Sequence, residues 1–349
     1  MRVVVVGATG NVGTSLVRAL AADDGVASIV GVARRLPGWR ADRTDWRQAD
    51  VATGDLARIF EGADAVVHLA WLFQPTRDPA TTWRANVLGS MRVFRAVAEA
   101  GVPALVHASS VGAYSPGPKD RPVDESWPTH GWPGAAYGRE KAYVERVLDV
   151  FENDHPSIRV VRMRPGFIFQ RAAATEQRRL FAGPFVPRRL IRPGRVPFVP
   201  DIPGLRLQVL HARDAAEAYR LAVTRPVRGA FNLAAEPVLD PHDLAKLLGA
   251  RTVPVSQGLA RAVVAAGWRL RLLPAAPGLL DLALRIPVMK VDRARDVLGW
   301  SPRHTSWDAM RELLDGLHDG AGMDTAPLAP DGGPAARVRE LATGVGQRL

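Results

Sequence analysis

The 349-residue chain contains no cysteine. That removes disulfides and thiolate metal sites and makes a reducing compartment the natural setting. Lysine is nearly absent as well: against 46 lysines and arginines together, only Lys119, Lys141, Lys246 and Lys290 are lysines. No group of His, Asp and Glu has metal-ligand spacing, so no metal is expected. No uninterrupted apolar run reaches membrane length. Residues 259–290 come nearest, and Arg261, Arg269, Arg271 and Arg285 break them up. Within it, residues 263–284 are expected to cover a substrate lobe with their apolar face inward and their arginines outward. The apolar run at the start is too short for a secretory signal. The expectation is a cytoplasmic protein without membrane insertion.

The net charge of +11 raises the question of nucleic acid. The excess is arginine spread along the chain, with "RRLIRPGR" at 188–195 the one dense block, so no nucleic-acid partner is expected. Attraction for a phosphorylated or carboxylated small molecule explains the charge as well.

What the chain does have is alternation. "RVVVVGA" (2–8) reads as a strand buried on both faces. A helix over 11–22 follows, then strands at 28–33 and 64–70, a helix over 82–100, a strand at 103–109, a helix over 135–152 and a strand at 158–164. This rhythm predicts an α/β fold with a doubly wound parallel sheet of Rossmann type over residues 1–169. Residues 170–318 read as a smaller, irregular α/β substrate lobe, interleaved with final sheet elements at 207–235. Helices are expected at 240–249, 256–272 and 292–300. Residues 319–349 read as a flexible tail with a small helix near 334–342.

Gly7, Gly10 and Gly13 stand between the first strand and the first helix. The spacing allows a tight turn and close approach of a pyrophosphate, with the amides of Thr9, Asn11 and Val12 at a helix N-terminus. A plain tight turn is the other reading. At the end of the second strand, where many dinucleotide folds carry an acid for the ribose, this chain has Ala33 followed by Arg34 and Arg35. Two guanidiniums without the acid suit a 2′-phosphate, favouring NADP over NAD, unless both are merely solvated loop residues.

Tyr137 and Lys141 are one helical turn apart and so share a face. A phenol of pKa about 10 needs a nearby cation to work as a base near neutral pH, and a compact ammonium provides it. Lys141 is therefore expected to lower the pKa of Tyr137. "HASSVGAY" (107–114) ends its strand with two adjacent serines.

These motifs, in this order, resemble the extended branch of the short-chain dehydrogenase/reductase superfamily, the NAD(P)-dependent epimerases, dehydratases and reductases. The resemblance covers about residues 1–315. It implies a catalytic set of Ser110, Tyr137 and Lys141, with Ser109 the weaker neighbour. It puts Asp50 and Val51 near the adenine, the backbone of Leu69 and Ala70 on the nicotinamide side, Pro165 at the carboxamide, and Lys141 on the ribose. Asn86 matches a family asparagine that is either a relay or loop anchor or a buried structural residue. Trp71 replaces the family's usual alanine. Family members often pair two helices across a two-fold axis. Val93, Val97, Val144 and Val147 look surplus to covering the sheet, so a homodimer is expected.

The implied activity is hydride transfer between nicotinamide and a carbonyl or carbinol small molecule. Two other readings use the same fold: a nucleotide-sugar epimerase or dehydratase, and a non-catalytic dinucleotide sensor or scaffold. Gln208 stands where sugar-nucleotide members carry an aspartate. Trp71, Phe73, Trp127 and Trp132 near the expected mouth suit a less polar substrate. Retention of Ser110, Tyr137 and Lys141 argues against the sensor.

Overall fold

Four consecutive valines set the architecture. In a computed structural model, which describes residues 1–185 and 191–333, Val3 and Val5 of strand β1 (Arg2–Val6) enter one hydrophobic cluster and Val4 and Val6 another. Alternate side chains of a strand point to opposite faces, so both faces of β1 are covered. The chain continues through α1 (Asn11–Ala21), β2 (Ser28–Ala33), β3 (Thr44–Gln48), α2 (Leu56–Phe60), β4 (Ala65–His68), α3 (Pro79–Trp83) and α4 (Gly89–Glu99). Next come β5 (Ala104–Ala108), β6 (Pro122–Val123), α5 (Ala136–Asp154), β7 (Arg159–Pro165), β8 (Phe167–Phe169), α6 (Ala174–Gln177) and β9 (Phe198–Asp201). They are followed by β10 (Val209–His211), α7 (Ala212–Thr224), β11 (Gly229–Leu233), α8 (Pro241–Leu248), β12 (Arg251–Pro254) and α9 (Gln257–Arg269). The last are α10 (Pro277–Arg285), β13 (Val288–Met289), α11 (Asp292–Asp296) and α12 (Ser306–Asp319).

The main sheet runs β3-β2-β1-β4-β5-β7-β11, every neighbouring pair parallel. One face packs on Leu16, Val17 and Leu20 of α1 and on Ala215, Ala218 and Tyr219 of α7. The other packs on Phe94 and Val97 of α4 and on Val144 and Leu148 of α5. The Rossmann expectation is borne out. The helix expected over 82–100 is interrupted by a wider π turn at Arg84–Leu88, which lets Asn86 lie fully inside.

Three expectations need correction. Val93, Val97 and Val144 are fully buried against the sheet; the outward apolar side chains on these helices are Leu88, Tyr143 and Val150. Residues 320–333 pack on the molecule: Leu328 is fully buried, and the Thr325 hydroxyl donates to the Thr9 carbonyl at 2.9 Å. The helix expected near 334–342 lies outside the described residues. Finally, α9 is apolar on both sides: Ala260 and Val264 turn inward and Arg269 and Arg271 are exposed as expected, but Leu259 and Val263 are exposed too, and the exposed Arg261 reaches Asp281 at 2.9 Å.

Candidate active site

The turn after β1 needs its glycines. Gly7 has φ +89°, and a Cβ there would lie 2.7 Å from the Ala70 nitrogen. A Cβ on Gly13 would lie 2.7 Å from the Ala8 carbonyl carbon. Gly10 caps α1 with no side-chain hydrogen bond, so the first amides of the helix open onto the groove as an anion cradle. The Asn11 side chain takes no part in that cradle. It donates to the Ile168 carbonyl at 2.9 Å and accepts from Gln170 at 3.0 Å, tying the turn to β8.

Two cavities continue from this turn along the C-terminal edge of the sheet. One, of about 160 Å³, is lined by Gly7, Thr9, Gly10, Ala33, Arg34, Asp50, Val51, Leu69, Ala70 and Asn86. Of the two arginines, Arg34 lines it; Arg35 is exposed and does not. The loop at Val51 is held by Arg92, which donates to the carbonyls of Val51 and Gly54 at 3.2 and 2.8 Å. Asn86 is a loop anchor. It accepts from the Leu72 amide at 2.6 Å, donates to its carbonyl at 2.8 Å, and donates to Glu140 at 2.7 Å.

The second cavity, of about 520 Å³, holds Gly7, Gly10, Asn11, Val12 and Gly13 together with Ser110, Tyr137, Lys141 and Pro165. The two serines have different surroundings, because one of them joins a buried ion network. Ser109 donates to Glu145 at 2.5 Å, and Glu145 is also bound by Arg164 through two contacts (2.9 and 3.0 Å) and by Arg162 at 3.0 Å. Ser110 instead accepts from the Gly112 amide at 3.0 Å and lines the cavity together with Tyr137. A side chain at Gly112 would run into the phenol ring, at 2.7 Å.

The electrostatics differ from the expected pairing. Burial pushes the Tyr137 phenol up to about 12, with the Ser110 hydrogen bond opposing and Glu140 adding to the rise. Burial also pushes Lys141 down to about 7, against the pull of Glu145 and Glu140. The ammonium donates to the Ala108 carbonyl at 2.7 Å and lies 3.4 Å from the centre of the Trp71 ring. It is 5.9 Å from the Tyr137 ring and does not lower that phenol in this geometry. His68 and His107 sit behind the site, kept neutral first by burial; His68 is held at about 3 and bonds Ser90 at 2.9 Å.

Phe73, expected at the mouth, packs at a tilt on Tyr137 at 4.7 Å and edge-on against Phe181 at 4.9 Å. Other site residues left no motif. Glu176 of α6 lines both cavities, its carboxyl pushed up to about 7 by burial against the pull of Arg179. Pro327 closes the smaller cavity from the C-terminal segment. Trp127 and Trp132 pack against the cluster around Tyr114 and line neither cavity. Among the described residues there is no group that could hold a metal ion.

Comparison with known proteins points one way. The profile of the NAD dependent epimerase/dehydratase family matches residues 3–234. A 3-diazoavenalumate denitrifying reductase from a Streptomyces species is 31% identical over 329 residues, spanning 88% of this chain and 98% of that protein. The UDP-glucose 4-epimerase of Mycolicibacterium smegmatis is 31% identical over 164 residues, 44% of this chain and about half (52%) of that enzyme. Among solved structures, the Thermus thermophilus UDP-glucose 4-epimerase in complex with NAD superposes with a TM-score of 0.67 at 20% identity, covering 91% of this chain and 99% of that one. At that identity the likeness speaks for the fold alone.

Proposed function

The chain belongs to the NAD dependent epimerase/dehydratase family and is an NAD(P)-dependent enzyme of that kind, and on this premise we propose that it reduces an apolar carbonyl compound, with NADPH as the preferred cofactor. The carrying observation is the wall of the larger cavity. Phe73, Leu180, Phe181, Val264, Leu279 and Leu280 surround the site, and Lys141 is the only cation among the described lining residues. A nucleotide sugar brings a diphosphate that wants guanidiniums, and among the described residues none lines this space. An apolar substrate wants what is there.

The residues present fit the dinucleotide. The uncapped start of α1 and the glycines that exclude a Cβ suit the diphosphate, Asp50 and Val51 the adenine, Arg34 a 2′-phosphate, and Lys141 and Pro165 the nicotinamide end. When bound, the nicotinamide supplies the hydride. The chain does the rest. Ser110 holds the substrate oxygen in line with Tyr137. The phenol, kept protonated by burial, gives that oxygen its proton as the alkoxide develops. Phe73 and Phe181 exclude water from the reacting face. A screen of NADPH oxidation against carbonyl compounds of graded polarity tests the reading; turnover of UDP-sugars and of no apolar carbonyl would replace it with the epimerase.

Cofactor preference is tested separately. Arg34→Ala should weaken NADPH by about 1.5–3 kcal/mol, roughly ten- to a hundredfold, and leave NADH nearly unchanged, while Arg35→Ala does little. Equal titration curves for the two cofactors on the unmodified protein would remove the 2′-phosphate role. We also infer a homodimer, with Leu88 just before α4 and Tyr143 and Val150 on α5 as the outward apolar contacts. The mass by light scattering should be twice that of the chain; a monomer at micromolar concentration would count against it. A cytoplasmic setting is consistent with the absence of cysteine.

A further inference from the structure

One stretch finds no role in hydride transfer. On its inner side, α9 packs Ala260 into the lobe and lines the larger cavity with Val264. On its outer side Leu259, Val263 and Leu270 are 57%, 60% and 69% exposed, spaced to form one stripe over three turns, and Leu272 stands exposed just beyond. Single exposed leucines are ordinary, but a continuous stripe calls for a cover.

The charges beside it are sorted. Arg261 and Arg285 are both paired with Asp281. Arg269 and Arg271 remain exposed at the end of the stripe. Arg77 lies 4.3 Å from the Trp268 ring and within electrostatic range of Arg271. No carboxylate ion pair to these three exists among the described residues.

We propose that this face of α9 rests on the surface of an anionic lipid bilayer. The four apolar side chains enter the headgroup–acyl boundary, and Arg77, Arg269 and Arg271 meet the phosphates. No helix of the described residues is long and apolar enough to cross a membrane, so the contact is peripheral. A second copy is the poorer occupant, since a two-fold contact through this stripe would crowd six guanidiniums without a counter-charge. The helix then stands as the partition between lipid and cavity. Uptake of an apolar substrate from that surface rests on the carbonyl-reductase reading; adsorption to lipid does not.

The test uses the full chain and sucrose-loaded vesicles of phosphatidylcholine, alone or mixed with phosphatidylglycerol. The unmodified protein should sediment with the mixed vesicles at low salt and far less with the neutral ones. Leu259→Ser/Val263→Ser/Leu270→Ser and Arg269→Gln/Arg271→Gln should each weaken binding roughly tenfold or more. Near-UV circular dichroism should match for all three, since every altered side chain is on the surface. A protein that stays in the supernatant overturns the proposal. So does lipid binding that both variants retain, which would trace to the diffuse net charge. So does a solution mass that falls in the serine variant, which would make a second copy the cover. Loss of NADPH binding would damage the enzyme reading and leave this one standing.

Discussion

Tyr137→Phe should fold as the unmodified protein does, bind NADPH nearly as well, and lose about 10²–10⁴-fold in turnover, the usual worth of a positioned general acid. Phe73 and Trp71 keep their ring contacts in this variant, so packing is preserved while the transferable proton is gone. The pH profile separates Tyr137 from Lys141. With the phenol pushed up to about 12, reduction should show no loss of the acid between pH 6 and about 10. Lys141 is held at about 7, so its ammonium is present below that pH and lost above it. Because kcat/KM reports the free enzyme, kcat/KM for reduction should decline as pH rises through about 7. A profile flat to pH 9 would mean that the charge on Lys141 is dispensable. Tyr137→Phe turning over an identified carbonyl at the unmodified rate would remove the proton-donor role.

Glu145→Ala should cost about 3–5 kcal/mol of stability. Glu145 has no solvent exposure, and its carboxylate neutralises Arg164 and part of the charge on Arg162. Arg162 keeps Asp149 and Glu152, but Arg164 would retain only Tyr114 and the Glu125 carbonyl. An uncompensated buried guanidinium is the source of the loss, so Glu145→Leu/Arg164→Met, which removes both charges, should recover most of it. Denaturant unfolding of the three proteins decides; a single-variant loss below about 1 kcal/mol would make the network superficial. The pH dependence has a definite sign. Burial raises the Glu145 carboxyl, but Arg164 and Arg162 outweigh it and hold it at about 2, below the ordinary 4.5. Its contribution is therefore complete above about pH 4.5 and drains away as pH falls toward 2.

Much of the fold was legible because it is local. Val3–Val6 announce a doubly covered strand, the three glycines announce the turn, and a four-residue spacing puts Tyr137 and Lys141 on one face. Both ends of α12 are equally legible: Thr305 and Asp308 form a reciprocal capping box at its start, and Gly320 closes the helix in the left-handed region. β3 was hidden by its composition, since TDWRQ at a wet sheet edge has no apolar alternation. Other features depend on partners distant in sequence. Periodicity shows that 259–270 has a stripe, but not that Leu259 and Val263 stand exposed while Ala260 and Val264 pack inward. The partner of Lys141 is Trp71, seventy residues earlier, and Glu176 belongs to the site only because α6 folds over the glycine turn. The phenol's upward shift is likewise a property of depth, which sequence does not encode residue by residue.

The packing of α1 on α7 bears on how the chain is made. Leu16, Val17 and Leu20 lie in one cluster with Ala215, Ala218 and Tyr219, so the first strand and helix have no cover for one face until about residue 224 has been synthesised. β11, the edge strand beside β7, arrives later still. A nascent chain carrying only the N-terminal half therefore displays a valine-rich sheet face to solvent or to whatever holds it at the ribosome. The dinucleotide-binding face is thus completed by contacts between the first helix of the chain and one far along it, and a fragment ending before α7 would lack that cover.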